Sequence, residues 1–242
     1  GTFYGGQFDD EINAIAIDGS DNIHITGSTF STTDFPTLSV FQNNYIGGQE
    51  GFCAKLNNNT TPIWSTFIGA SQNEVGYAIA VDDNGDVAVG GTTSSDNFPS
   101  HRTAQETYNT LNCEADAFIV KFNADGTRDW ATYYGGWRWE HPKGIVFSDA
   151  GQVITAGKTE STDLPTSADA HLSIPPTAGI NAFISIFEIT CPSQPILIHS
   201  AENAIYYDQF WCSRYENPFS HHFNEDSCGL YLIAPPGYTD YT

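Results

Sequence analysis

Two stretches of alternating oxygen-bearing residues have the spacing to hold a hard cation. Asp82, Asn84 and Asp86 stand at every second position, and Asn123, Asp125, Thr127 and Asp129 repeat that spacing. Ca²⁺ takes about six to eight oxygen ligands, which Asp and Asn alternating through a turn can bring to one point. Asp82, Asn84, Asp86, Asp125 and Asp129 are therefore the candidate calcium ligands. Neither stretch has an acidic residue at the closing position of a calcium loop. Each is also hairpin-turn chemistry, for which Asp, Asn and Gly are selected without any metal. Asp9, Asp10 and Glu11 offer paired carboxylates of the kind a glycosidase uses. Such a pair must face across a bond at about 5–9 Å, which adjacency in sequence does not supply. His221, His222, Glu225 and Asp226, with cysteines nearby, have zinc-ligand chemistry but no ordered spacing. Trp137, Trp139 and Trp211 are the candidate binding residues. Strand alternation across 137–139 places both indoles on one side of Arg138, where they can stack on sugar rings or on a partner. The same two residues would equally fill an internal interface. No Ser-His-Asp or Cys-His constellation, and no Gly-rich loop opening a helix, accompanies any of these groups.

The elements that must position them repeat along the chain. Gly27, Gly91 and Gly157 are 64 and 66 residues apart, and Pro36, Pro99 and Pro165 are 63 and 66 apart. Phe52, Phe118 and Phe183 are 66 and 65 apart, and Trp64 and Trp130 are 66 apart. Each unit opens with an alternating strand (12–18, 76–82, 143–148), then a Gly/Asp/Asn turn, then a second strand ending in glycine (23–27, 87–91, 153–157). That terminal glycine predicts a bulge or a close backbone approach. A Ser/Thr/Asp-rich connection follows and ends in Phe35-Pro36, Phe98-Pro99 or Leu164-Pro165, where proline stops regular pairing. A variable loop then leads to a second hairpin, 51–70 or 116–136. The third copy begins at Asn181, lacks the tryptophan, and has 195–198 as its candidate fourth strand. Asn58 and Asn59 form glycosylation sequons that read here as a turn.

The pattern predicts an all-β fold: a β-propeller-like array of four-stranded antiparallel blades, with three repeats of about 65 residues (about 7–70, 71–136 and 137–200). Three blades do not close a ring, since rings take about four to eight. Further blades or a partner chain would complete the array. Residues 1–6 match the end of a repeat, so the chain reads as beginning inside an array. Residues 191–242 are a Cys- and aromatic-rich segment that caps the array or starts another domain. Three of the five cysteines (Cys191, Cys212 and Cys228) lie there, which suggests a stapled segment in an oxidising compartment. Cys53 and Cys113 complete an odd count. A net charge of −21, from 8 Lys and Arg against 29 Asp and Glu, argues against nucleic acid and anionic membrane surfaces as partners.

The phrases AIAVDDNGDVAVGGTTSSDNFP and DAFIVKFNADGTRDWATYYGG resemble the bacterial SBBP repeat, named for a seven-bladed β-propeller, over roughly residues 1–190. Ala70 in place of the second glycine and Ser148 in place of aspartate depart from its pattern. The resemblance implies large extracellular surface proteins of Gram-negative bacteria, frequently Bacteroidota exported by the type IX pathway. It brings no catalytic residues. The expected role is a non-enzymatic surface scaffold or adhesin that binds protein or glycan through its blade loops. A subunit of a larger outer-membrane or filament assembly, and a secreted polysaccharide-active enzyme, are the alternatives.

Overall fold

The computed structural model describes residues 1–38, 41–108, 115–167, 170–175 and 179–188, with three further strands at 205–208, 214–216 and 230–233. The chain divides into two compact units, Gly1–Glu188 and Ile189–Thr242. The first unit holds three antiparallel meander sheets, which are the predicted blades. Blade 1 runs β1 (Asp10–Ile17), β2 (Ile23–Thr29), β3 (Glu50–Leu56) and β4 (Pro62–Ile68). Blade 2 runs β5 (Glu74–Val81), β6 (Val87–Thr93), β7 (Asp116–Phe122) and β8 (Arg128–Tyr134). Blade 3 runs β9 (Glu140–Phe147), β10 (Val153–Thr159) and β11 (Asn181–Phe187). Its candidate fourth strand at 195–198 lies outside the described residues. In the second unit β12 (Ile205–Asp208) is flanked by β13 (Arg214–Glu216) and β14 (Leu230–Ile233), both antiparallel to it.

Turn chemistry sets one end of each blade. Asp18 N donates to Asn22 O, Asp82 N to Asp86 O, and Ser148 N to Gln152 O. The Asp82 carboxylate accepts from the Asn84 and Asp86 N–H groups at 2.9 and 2.8 Å, closing the turn on itself. Ser148 does the same work with a hydroxyl, accepting from Gln152 N at 3.2 Å. The other end of every blade carries the Pro loops and the turns between blades. We refer to it as the loop end.

The predicted bulges are present and have a direction. Pairing of β1 with β2 skips Asn13, pairing of β5 with β6 skips Tyr77, and pairing of β9 with β10 skips Lys143. A bulge bends its strand and re-aims one side chain. Asn13 is thereby sent into the next blade, where its amide donates to Gly76 O at 3.0 Å. Tyr77 is sent likewise against His141 of blade 3. Opposite each bulge sits Gly27, Gly91 or Gly157, where a Cβ would collide with the carbonyl of Glu11, Val75 or His141. That close approach is what the repeated glycine allows.

Blades stack through apolar faces. Cys53, Trp64 and Ile68 of blade 1 meet Val87, Val89, Phe118, Val120 and Phe122 of blade 2 in one buried cluster. The Trp64 indole also donates to Ala124 O in the neighbouring hairpin at 3.2 Å. The Phe of each Phe-Pro motif covers the third strand of its own blade: Phe35 lies 4.9 Å from Phe52, and Phe98 stacks 4.9 Å from Phe118. Cys53 is a buried free thiol whose pKa burial pushes up. Cys113, Cys191, Cys212 and Cys228 lie outside the described residues.

Candidate functional site

The loop end is built on a clasp repeated in all three blades. An acid opens the first strand: Asp10, Glu74 or Glu140. It accepts from the threonine that ends the second strand, Thr29, Thr93 or Thr159, at 2.7 Å for Glu74 and 2.6 Å for Glu140. The serine two residues later, Ser31, Ser95 or Ser161, donates its N–H back to that threonine hydroxyl at 2.9, 3.0 and 2.9 Å. The acid's second oxygen takes the N–H of the preceding turn, from Gly6 (2.7 Å), Ala70 (2.8 Å) or Gly136 (3.2 Å). The serine hydroxyl takes the next free N–H in that turn, from Phe8, Gln72 or Arg138. Donors of the between-blade turn are thus satisfied by side chains of the blade that follows, as buried backbone requires.

A second acid comes from the blade before. Glu50, fully buried, accepts from Gln42 Nε2 at 2.9 Å and from the Ile46 and Gly47 N–H groups. Gly69 lies between Glu50 and the turn, and a Cβ there would fall on the Glu50 carboxylate. The next junction has the same arrangement. A Cβ on Gly135 would come within 2.6 Å of Asp116 and 2.7 Å of Glu140. Burial, together with the charge of Glu74, pushes the Glu50 pKa up to about 7, against the pull of its N–H and amide donors. Burial also raises Glu74 and Glu140.

On this platform stands the segment 137–141, a bend that runs into the start of β9. Residues 137–138 form a bend and not a strand, so the expected alternation of the two indoles does not occur. The clasp is the cause, since Asp163 and Ser161 take the Trp137 and Arg138 N–H groups at 3.0 and 2.8 Å. Trp137 is 62% exposed. Trp139 is half-buried, with Lys158 Nζ 4.3 Å over its ring and the His141 ring 5.4 Å away at 90°. His141 in turn stacks on Tyr77 at 4.1 Å. Its Nδ1 donates to Pro142 O at 2.9 Å, which leaves Nε2 to accept from Lys143 Nζ at 3.4 Å. Burial lowers the His141 pKa, and Lys143 and Lys158 lower it further. Tyr77, His141, Lys143 and Lys158 were not among the sequence candidates. The signal available was departure from the repeat, because the first two units carry Val75 and Glu11 at the His141 position and Thr92 and Ser28 at the Lys158 position. Trp211 and the cluster at 221–226 lie outside the described residues.

The calcium candidates are not gathered around one point, and their oxygens are committed to protein donors. Asp82 caps its own turn. Asp86 accepts from Lys121 Nζ at 2.7 Å and from Ala124 N at 3.0 Å. Asp129 accepts from Lys121 Nζ at 3.0 Å and Arg102 at 3.1 Å. Asp125 accepts both the N–H and the hydroxyl of Thr127, and Asn84 donates to Asp82. An ammonium group stands where a cation would be needed, so the residues do not fit calcium. The same corner of blade 1 holds Lys55 and His24 on Asp18, at 3.0 and 3.2 Å. Burial works to raise the Asp18 pKa, but hydrogen bonds from Asn22, His24 and Lys55 outweigh it and hold the group well below the usual carboxylate range.

Regulatory protein FlaEY of Caulobacter vibrioides is 26% identical over 133 residues, which is 55% of this chain and 13% of that protein. The chain therefore covers a small part of that relative's length. Residues 63–99 match the SBBP family, described as a beta-propeller repeat. The matched stretch runs from β4 through the clasped turn and β5–β6 to Phe98-Pro99, so the clasp lies inside the family's own frame. The family matched over residues 63–99 is the one whose phrases the sequence resembles.

Proposed function

We propose that the chain is a scaffold segment of an extracellular surface protein that binds protein or glycan at its loop end. The observation that carries this reading is the segment 137–141. A buried and repeated platform holds it, yet its side chains differ from those of the other two turns, and Trp137 stands 62% exposed. Residues that break a structural repeat while leaving its clasp intact are free to serve recognition. A relative named as a regulatory protein supports binding over turnover. The test is a glycan array probed with the chain, with release of reducing ends measured in parallel. Binding without hydrolysis is expected, and hydrolysis abolished by replacing one loop carboxylate would replace this reading with an enzymatic one.

A second reading, a subunit completed by other blades, rests on two uncovered faces. Ile15 and Ile17 are 64% and 62% exposed, whereas their counterparts in blade 3 are covered: Ile145 is 6% exposed and Phe147 is half-buried. Ile184 is 76% exposed, whereas Cys53 and Ile119 at its position are fully buried. Sedimentation of the purified chain distinguishes the readings, because a stable multimer burying these faces would favour the second.

A further inference from the structure

The chain has 8 Lys and Arg against 29 acids, and three of the eight (Arg138, Lys143 and Lys158) converge on one turn. The second unit has Gln72, Tyr77 and Thr92 at these positions, and the first has Phe8, Asn13 and Ser28. Three other cations of the blades are spent on carboxylates: Lys55 on Asp18, Lys121 on Asp86 and Asp129, Arg102 on Asp129. Arg128 donates to Pro99 O and lies over the Phe41 ring. Among the described residues no carboxylate lies within ion-pairing distance of Lys143 or Lys158. Their ammonium groups lie instead against π-faces and an imidazole. Lys158 is 4.3 Å over Trp139, and Lys143 is 5.9 Å from the Tyr77 centroid and 3.4 Å from His141 Nε2. A cation–π contact attracts an ammonium group but leaves its charge unneutralised. Two like charges flanking one neutral imidazole form a local positive field in a strongly acidic protein, and an anion would relieve it. Two residues before Trp139 in the chain, Trp137 is 62% exposed.

We propose that this corner of the loop end binds an acidic saccharide. A carboxylate or sulfate on the sugar is held by Lys143 and Lys158 with Arg138 at the rim, and the C–H face of the ring stacks on Trp137. The proposal rests on the reading of the loop end as a binding face and names its ligand class. A pyranose carries an apolar face and a charge on one rigid ring, which matches an exposed indole and cations carried by one short segment and the strand paired with it. An extended acidic peptide would need an open strand edge to pair with. The edge here is β9, where Pro142 lacks an N–H and the bulge at Lys143 breaks the ladder.

The experiment titrates the full chain, by calorimetry and tryptophan fluorescence, with an oligouronate, dextran sulfate, neutral dextran and polyglutamate. Binding of the oligouronate or the sulfated chain is expected, and the stronger of the two identifies the anionic group. The double variant Lys143→Gln/Lys158→Gln should weaken it by about tenfold or more, as loss of charge-assisted contacts does. Trp137→Ala should weaken it as well, and both variants should melt at the wild-type temperature. The His141 imidazole, followed by NMR, should titrate at higher pH with the saccharide bound, because the bound anion offsets the two ammonium groups. Wild-type affinity in the double variant, or polyglutamate binding as tightly as the oligouronate, overturns the proposal. Binding of neutral and anionic glycans alike overturns it while leaving the loop end as a binding face. Binding to none of the glycans overturns both.

Discussion

Replacing Glu50 with glutamine tests the buried acid pair at the junction of blades 1 and 2. The folded chain holds the Glu50 carboxyl at a pKa of about 7, from an ordinary 4.5. Folded protein therefore binds a proton across that interval that the unfolded chain has already released. Stability from this group is full below about pH 4.5 and is lost as pH rises through 7. The shift corresponds to about 3 kcal/mol, at about 1.4 kcal/mol per unit. Glu74 and Glu140 are raised as well and add in the same direction. Urea melts at pH 5, 6, 7 and 8, followed by tryptophan fluorescence, measure the slope. The wild type should lose stability between pH 5 and 7 and level off above it, and Glu50→Gln should lose about 2.5 kcal/mol less over the whole range. Self-repulsion from the net charge of −21 pulls the same way, but salt screens it, whereas salt barely reaches a buried pair. Melts at about 0.05 and 0.5 M NaCl separate the two. Equal slopes in wild type and variant, or a slope that salt abolishes, would refute the assignment.

Four further outcomes are expected. Thr60 is a β-branched residue at φ 64, where the corresponding turn of blade 2 has Gly126, so Thr60→Gly should stabilise by about 1 kcal/mol in thermal melts. Gly69→Ala places a methyl on the Glu50 carboxylate and should destabilise by about 1–3 kcal/mol, with a smaller further cost in the Glu50→Ala background, where the colliding atoms are gone. Asp18 is held below the ordinary 3.8, so it supports the fold above that pH and ceases to as pH falls further. Asp18→Asn should therefore weaken the chain at neutral pH and flatten its acid unfolding limb. Millimolar calcium and a chelator should give the same melting temperature, because Lys121 already satisfies Asp86 and Asp129; a rise of several degrees would restore the metal reading.

The blades were legible because their signals are local. A Gly/Asp/Asn turn between alternating strands specifies a hairpin within about a dozen residues, and the 66-residue offset of Phe52 and Phe118 or of Trp64 and Trp130 stacks the copies in one register. The glycine ending each second strand also announced its bulge. Strand ends were read short. Asp10, Glu74 and Glu140 look like loop acids in sequence, and only the threonine they grip extends β1, β5 and β9 to include them. The Glu50–Glu74 pair was hidden because its members belong to different blades, 24 residues apart with no pattern linking them. Sequence left calcium and a plain turn both open because Asp-x-Asn-x-Asp serves a self-capped turn as well as a metal loop, and the residue that occupies Asp86, Lys121, is far along the chain. Trp137 and Trp139 stand out in the sequence as a departure from the repeat. Their disposition was misjudged, since the clasp turns 137–138 into a bend.

The clasp has a genetic consequence. Every junction is closed by the same residue types at the same offsets, so a crossover between two copies in the same phase makes no new kind of contact. Excision of residues 71–136 would join Ala70 to Trp137 and set Glu140 opposite Glu50, where Glu74 now stands. The reverse exchange would insert a whole blade. Arrays of this design can lengthen or shorten by recombination in steps of one period, and each product inherits a junction that already folds.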